Sequence, residues 1–166
     1  TPDGHVILYT SASITINRSL FANPGYDVLK DLVTIGTVAA MPHILVVHPS
    51  VSATSVKDLV AELRVKPGKF NYSSPGSGTS AHLTAELFKQ ATKTFVVHVP
   101  YRGGATATAA IVAGEVQMGL VAAFPVLPQI KAGRVRALAV SSAVRSDVAP
   151  ELPTLKELGL DVVSYQ

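Results

Sequence analysis

Cysteine is absent from the chain, and charged and aromatic residues are scarce. The lack of cysteine excludes disulfides, thiolate metal sites and cysteine nucleophiles. Charged residues make up 15% of the 166 residues, the net charge is +3, and lysine and arginine are scattered singly. Because a nucleic-acid surface needs a concentrated basic stripe, we do not expect a nucleic-acid partner. The hydrophobic residues, 48% of the chain, are enough for a packed core.

Long hydrophobic runs are also missing. No apolar stretch reaches the roughly 18 residues that a membrane helix needs, so the chain itself is not expected to span a membrane. It begins with a turn sequence at residues 1–4 and ends inside an apolar, strand-like stretch at residues 164–166. We therefore interpret both ends as cut points, which leaves room for a targeting segment upstream.

Segments with a strand pattern alternate with segments with a helix pattern over the whole chain. The predicted strands are residues 5–10, 33–39, 44–48, 70–73, 95–99, 116–121 and 135–140. The predicted helices are residues 56–65, 80–91, 105–113, 126–131 and 154–158. Such alternation requires right-handed β-α-β crossovers and a mainly parallel sheet. The sequence therefore predicts an α/β fold.

The strongest candidate site is a glycine-rich loop at residues 74–80, between a predicted strand and a predicted helix, which we call the glycine loop. Its candidate binding residues are Ser74, Gly76, Ser77, Gly78, Thr79 and Ser80. Glycine lets the backbone approach a ligand closely, and a helix N-terminus offers free N–H groups and a partial positive charge. With hydroxyl groups as further donors, the loop suits a carboxylate or a phosphate. The alternative is a flexible turn in which Thr79 only caps the helix.

Two further loops follow predicted strands. One, at residues 100–104 and called the tyrosine loop, offers the ring and hydroxyl of Tyr101 and the N–H group of Gly103. The other contains Ser11 and Ser13. Ligands of parallel α/β sheets bind outside the carboxyl ends of the strands, so we expect all three loops to close on one small anion.

The glycine loop also matches a dinucleotide fingerprint, Gly76-x-Gly78-x-x-Ala81. A nucleotide-dependent enzyme therefore stays open as an alternative. That fold places an acidic residue at the end of the next strand to bind the ribose. Here no acidic residue follows the strand at residues 95–99 before Glu115.

The five histidines form no His-x-x-His or His-x-x-x-His pair, so no metal site and no catalytic residue is predicted. His82 lies in the first turns of the helix after the glycine loop. It either braces that loop or bonds to a backbone carbonyl. His98 alternates within a strand and is interpreted as a core residue.

Short motifs occur in a fixed order through the chain. They are Pro2-Asp3-Gly4-x-x-x-Leu8, Leu45-Val46-Val47-x-Pro49-Ser50-Val51, Pro67-Gly68-Lys69-Phe70-Asn71-Tyr72, Gly78-Thr79-Ser80-x-His82-Leu83, His98-Val99-Pro100-Tyr101-Arg102-Gly103, Ile130-Lys131-Ala132-Gly133-x-Val135-Arg136-Ala137-Leu138-Ala139-Val140 and Pro153-Thr154-x-x-Glu157-x-Gly159. Together they resemble the substrate-binding receptors of tripartite tricarboxylate transporters, the Bug or TctC-like family. The resemblance covers essentially the whole chain.

The resemblance implies a periplasmic receptor with a type II periplasmic-binding-protein-like fold, in which two α/β lobes close on the ligand. It implies a small organic acid as ligand, an integral-membrane permease as partner, no cofactor and no catalysis. Residues 1–72 and 151–166 would form an incomplete first lobe, and residues 73–150 the second lobe. The family's first strand and its glycine-rich loop would precede Thr1.

One position in the chain bears on the predicted ligand. Some members of the family have an aspartate near the end of the strand that corresponds to residues 116–121, where this chain has Val121, Ala122 and Ala123. The missing acid removes a partner for an amino group and argues against an amino-acid ligand.

A third interpretation, the ligand-sensing domain of a regulator, requires a DNA-binding segment, and none occurs in these 166 residues.

Overall fold

The computed structural model describes residues 3–166. Within that range, in chain order, the elements are α1 (Ser13–Leu20), β1 (His43–Val47), α2 (Val56–Val65), β2 (Asn71–Ser74), α3 (Ser80–Thr92), β3 (Val97–Pro100), α4 (Gly104–Val112), β4 (Met118–Ala122), α5 (Ala123–Lys131) and β5 (Arg136–Val140). None of the helices in residues 3–166 has both the length and the apolar character that crossing a membrane requires.

The strands form one sheet in the order β3-β2-β4-β1-β5. β2 pairs in parallel with both β3 and β4. β1 lies antiparallel between β4 and β5, so β5 runs in the same direction as β2, β3 and β4. Four strands of this sheet thus share one direction, which confirms the predicted α/β fold with a mainly parallel sheet.

The two faces of the sheet are covered by different helices. Leu45 of β1 packs in a core cluster with residues of α2 and with Phe88 of α3. Its neighbour Ile44 packs in a second cluster with Ile111 of α4 and Val126 of α5. Successive residues of a strand point to opposite faces, so the sheet is the middle layer of an α/β/α arrangement.

α2 shows how a local pattern sets the bounds of a helix. The hydroxyl of Ser55 accepts a hydrogen bond of 3.1 Å from the N–H of Asp58, which satisfies a free donor of the first turn. The carboxylate of Asp58 is also favourable beside a helix N-terminus. The helix ends before Pro67 and Gly68, and Gly68 has φ 72°. The prediction of a helix at residues 56–65 is confirmed.

Residues 5–10 and 33–39, predicted as strands, are not strands. Their apolar side chains are exposed, with Val33 at 92% and Val6 at 79% exposure. A strand needs neighbouring backbone to pair its N–H and C=O groups, and within residues 3–166 no strand pairs with these segments. Between them, the loop predicted at residues 11–13 leads into α1, a helix that the sequence did not indicate.

Residues 154–158, predicted as a helix, form consecutive turns. Thr154 makes a β-bridge with Val140 at the end of β5. The N–H of Leu155 donates to the C=O of Val140 over 2.9 Å. Beyond this bridge the segment makes one bond of the α-helical kind, from the N–H of Leu158 to the C=O of Thr154 over 3.3 Å. The N–H of Gly159 then donates to the C=O of Lys156, so the turn does not continue into a helix.

β1 lies before the predicted lobe boundary at residue 72, whereas β3, β4 and β5 lie after it and β2 spans it. Its five residues are all buried, and it pairs with β4 and β5. An apolar strand of five residues fits either lobe by its local pattern, so only long-range pairing decides its place. Beside it, Met41 and Gln166 exchange backbone hydrogen bonds of 3.0 and 2.8 Å. How the full protein divides into lobes stays a prediction.

Candidate functional site

Three helices begin at the same edge of the sheet. β2, β3 and β4 run in parallel, and they continue at their carboxyl ends into α3, α4 and α5 respectively. The first N–H groups of each helix have no partner in their own helix and carry a partial positive charge. The glycine loop and the tyrosine loop therefore lie side by side, at the edge where α/β sheets bind ligands.

Two glycines determine the path of the glycine loop. Gly76 has φ 141° and Gly78 has φ 80°, values that residues with a side chain rarely adopt. A Cβ atom at Gly78 would also lie 2.8 Å from Cδ1 of Leu20 and 3.5 Å from Oδ1 of Asn17. The last turns of α1 thus pack directly against the glycine loop, a contact for which the sequence contained no signal.

Side chains at both ends of the glycine loop bond to its backbone. Ser74, which is fully buried, accepts from the N–H of Gly76 over 3.2 Å and donates to its C=O over 3.0 Å. The hydroxyl of Thr79 donates to the same C=O over 2.8 Å. It also accepts from the N–H of His82 and so caps α3. These bonds, all within the protein, hold the loop in shape.

Other donors of the glycine loop are not used in this way. Ser77 is exposed, and its hydroxyl has no hydrogen-bond partner among the described residues. The N–H groups of Ser80 and Ala81 lie in the first turn of α3, where no acceptor of the same helix is available. The loop therefore presents neutral donors at the positive end of α3, an arrangement that suits an anion.

Backbone hydrogen bonds tie the tyrosine loop to the glycine loop. The N–H of Tyr101 donates to the C=O of Ser74 over 2.9 Å, and the N–H of Gly103 donates to the C=O of Pro75 over 3.2 Å. The side chain of Tyr101 has a different partner, because its hydroxyl donates to Glu115 over 3.1 Å. Its ring packs against the core cluster on the α4 face. The hydroxyl of Tyr101 and the N–H of Gly103, predicted as ligand donors, are thus engaged within the protein.

Ser11 and Ser13 lie at the beginning of α1, with their Oγ atoms 3.1 Å apart. The contact of α1 with Gly78 is made by Leu20, at the other end of the helix. With a rise of 1.5 Å per residue, the two ends of α1 are about 10 Å apart. The structure brings α1 to the glycine loop through its last turn rather than through these serines.

The sequence profile of the family described as "TctC: Tripartite tricarboxylate transporter family receptor" matches residues 1–166. The chain belongs to this receptor family. It is 34% identical to the protein BugT of Bordetella pertussis over 159 residues, which are 95% of the chain and 49% of BugT. The TctC-family chain thus spans about half the length of the curated relatives that it matches.

Solved structures agree with this assignment. Rpa4515 of R. palustris, solved with adipate, is 32% identical and superposes with a TM-score of 0.81 over 86% of this chain and 49% of its own. The periplasmic binding protein BugD is 26% identical and has a TM-score of 0.87 over 92% of this chain and 52% of its own. The fold of the TctC-family chain is therefore periplasmic-binding-protein-like, as predicted.

A buried histidine that the motifs did not indicate also lies at this edge of the TctC-family chain. His43 begins β1 and is fully buried, with Nε2 3.3 Å from the hydroxyl of Ser80. Burial lowers the pKa of His43 to about 4, so the ring is neutral at pH 7. Its Nδ1 atom has no hydrogen-bond partner among the described residues. Only the insertion of β1 beside β4 brings this ring to α3.

The third helix N-terminus of the site belongs to α5. This helix begins at Ala123, three residues before the predicted start. Among the described residues no side chain caps it, and its first turn has no acidic residue. The N–H of Ala123 donates to the C=O of Pro42 over 3.2 Å. This part of the edge therefore offers no acidic side chain, as the residues Val121 and Ala122 indicated.

The enzyme alternative gains no support from this geometry. β3 ends at Pro100, and neither the tyrosine loop nor α4 contains the acidic residue that a ribose would need. Within residues 3–166, no group of three or more His, Asp or Glu side chains is arranged to hold a metal ion. The match to a family of solute receptors points away from catalysis.

Proposed function

We propose that the full-length gene product is a periplasmic solute-binding receptor that captures a small organic carboxylate for a tripartite tricarboxylate-type transporter. The glycine loop is the observation that carries this proposal, because it presents unpaired neutral donors at the positive end of α3. Membership of the receptor family supports it. So does Rpa4515, which is 32% identical and was solved with adipate, a dicarboxylate.

The proposed contacts with the ligand come first from the glycine loop. The hydroxyl of Ser77 and the N–H groups of Ser80 and Ala81 would donate to one carboxylate. The residues that shape this cradle are Ser74, Gly76, Gly78 and Thr79. Tyr101 and Gly103 would contribute by holding the glycine loop through their N–H bonds to Ser74 and Pro75, and Ser11 and Ser13 would contribute from the side of the first lobe.

The charge pattern favours a ligand without an amino group. The donors of the glycine loop are neutral, and they bind an anion through hydrogen bonds and the helix end. At the start of α5, Val121, Ala122 and Ala123 offer no carboxylate to an ammonium group. We therefore propose a dicarboxylate rather than an amino acid.

Capture and release would follow from movement of two lobes. Hinge closure of two lobes around a ligand is a common kind of domain movement. Closure would bring α1 and the glycine loop around the ligand, and an integral-membrane permease would receive it. No covalent bond changes in this cycle, so no catalytic residue and no cofactor is proposed.

A binding screen of the full-length protein tests this function. Thermal unfolding is measured with small dicarboxylates, amino acids, and nicotinamide and flavin nucleotides. A dicarboxylate at about 100 times its Kd is expected to add about 2.7 kcal/mol to the free energy of unfolding. Stabilisation by a nucleotide, with none by any organic acid, would contradict the proposal.

The variant Ser77→Ala tests whether the glycine loop holds the ligand found in that screen. Because Ser77 is exposed, its loss is expected to leave the unliganded protein as stable as before. If its hydroxyl donates to the ligand, the Kd of the dicarboxylate is expected to rise about tenfold. Calorimetric titration of both proteins measures the difference.

A further inference from the structure

We propose that His82 and His98 are positioning residues whose stacked, neutral rings hold the glycine loop in its binding shape, and that protonation of His82 releases the loop and the ligand. The proposal rests on the proposed function, in which this loop is the carboxylate cradle. It adds a response to pH that the carboxylate contacts themselves do not require.

His82 holds the second half of the glycine loop. Its Nδ1 atom accepts a hydrogen bond of 3.2 Å from the N–H of Gly78. An imidazole nitrogen accepts only while it carries no proton, so this bond requires a neutral ring with its proton on Nε2. Gly78 is buried. Protonation of Nδ1 would therefore leave a buried N–H without an acceptor and place a second donor against it.

His98 holds the first half of the glycine loop. Its Nε2 atom lies 2.7 Å from the hydroxyl of Ser74. A hydroxyl accepts as well as donates, so the ring of His98 can donate to Ser74 while that hydroxyl donates to the C=O of Gly76. This bond survives when His98 is protonated. The response to acid therefore belongs to His82, which acts as an acceptor.

The two rings form one stack. The centroids of His82 and His98 are 4.2 Å apart, with the ring planes inclined by 23°. Tyr72 stacks on the other side of His98 at 4.8 Å. A stack this close would bring two positive charges together if both imidazoles took up protons. Protonation of one ring thus disfavours protonation of the other.

Charged groups on α3 face the stack. The carboxylate of Glu86 accepts from the hydroxyl of Tyr72 over 2.5 Å and from Nζ of Lys89 over 2.7 Å. Burial lowers the pKa of His82, while Glu86 raises it and Lys89 lowers it. The pKa of His98 is lowered by burial and then by His82 and Lys89, against Glu86. Both rings are therefore neutral at pH 7.

Other elements near the glycine loop do not change this balance. α1 places the uncharged side chain of Asn17 beside the loop. The guanidinium of Arg18 on the same helix lies 3.7 Å from a carboxylate oxygen of Asp27. On β1, His43 faces Ser80 and is neutral because burial lowers its pKa to about 4.

The direction of the pH response follows from the lowered pKa of His82. Above its ordinary pKa of about 6.5, the bonded and the released loop both hold a neutral ring, and affinity does not depend on pH. Below that value the released loop binds more protons than the bonded one. The binding shape therefore loses stability as pH falls below about 6.5, until the bonded ring is protonated too.

The variant His82→Asn separates this mechanism from general effects of acid. Its Oδ1 atom can accept from the N–H of Gly78, and it cannot be protonated in this range. The Kd of the dicarboxylate found in the screen is measured by calorimetry on the full-length protein at about pH 7.5 and pH 5.5. Wild type is expected to bind more weakly at the lower pH, by up to about tenfold. The variant is expected to bind more weakly than wild type at the higher pH and to lose less affinity than wild type between the two pH values.

A second measurement needs no ligand. In wild-type protein labelled with ¹⁵N, the amide signal of Gly78 is expected to shift along the titration curve of the His82 ring. Equal pH dependence of Kd in wild type and variant, or a Gly78 amide that does not follow His82, would overturn the proposal. If no carboxylate binds at all, the proposed function fails, and the Gly78 titration still decides whether His82 controls the loop.

Discussion

The glycine loop and the tyrosine loop follow neighbouring parallel strands and precede helices, yet they are held in different ways. In the glycine loop, Ser74 bonds both polar backbone groups of Gly76, and Thr79 caps α3. The tyrosine loop is joined to it through backbone bonds to Ser74 and Pro75. Among the described residues, no side chain caps α4. The same strand–glycine–helix pattern thus produces one loop that is shaped in advance and one that takes its position from the first.

The largest expected effect concerns His43, the buried ring that contacts Ser80 at the start of α3. Because its pKa is lowered to about 4, the unfolded chain binds more protons than the folded protein below about pH 6.5. The free energy of unfolding is expected to fall by up to about 3 kcal/mol as pH drops from about 6.5 to about 4. Denaturant titrations across this range should show a smaller fall in His43→Asn. If the free energy of unfolding falls equally in wild type and in His43→Asn, the effect belongs to other titratable groups.

The next effect tests whether side chains hold the glycine loop. Ser74→Ala removes a fully buried hydroxyl and leaves the N–H of Gly76 and the ring of His98 without their partner, while the C=O of Gly76 keeps its bond from Thr79. The free energy of unfolding is expected to fall by about 2 kcal/mol. Ser77→Ala, in the same loop but exposed, is expected to change it by less than about 0.5 kcal/mol. Similar losses in the two variants would mean that the buried hydroxyl of Ser74 does not hold the loop.

A pair of glycine substitutions sharpens the contrast between the loops. Gly78→Ala adds a Cβ at φ 80° and 2.8 Å from Leu20, and about 1–2 kcal/mol of stability should be lost. Gly104→Ala, at the first residue of α4, meets no atom within 4 Å and is expected to be neutral or stabilising by up to about 1 kcal/mol. Denaturant unfolding of both variants measures this. A larger loss of stability in Gly104→Ala than in Gly78→Ala would contradict this prediction.

The smallest expected effect is at Tyr101. Tyr101→Phe removes the hydrogen bond to Glu115, which is exposed, and stability is expected to fall by about 0.5 kcal/mol or less. Unfolding measurements and dicarboxylate titrations are made on the same samples. A loss of binding free energy that exceeds this loss of unfolding free energy would show that the hydroxyl bonds to the ligand and not to Glu115.

Local patterns were informative wherever a residue's neighbours in sequence are also its partners in space. Ser55, Asp58 and Pro67-Gly68 determine both ends of α2, and the glycine loop leads into α3 as the sequence indicated. The adjacency of the two loops was also predictable, because parallel strands bring their carboxyl ends to one edge. The same reasoning was wrong at residues 5–10 and 33–39, where a strand pattern is present but residues 3–166 supply no strand to pair with it.

The sequence by itself determined the α/β class, the alternation of elements after residue 43 and the position of the donors at the start of α3. These features depend on residue type and spacing over a few turns or a single strand. Only the tertiary structure decided that β1 enters the sheet beside β4, that His43 is buried against Ser80, that α1 covers Gly78 and that the hydroxyl of Tyr101 bonds to Glu115. Each of these depends on contacts between residues distant in the chain, which no local pattern contains.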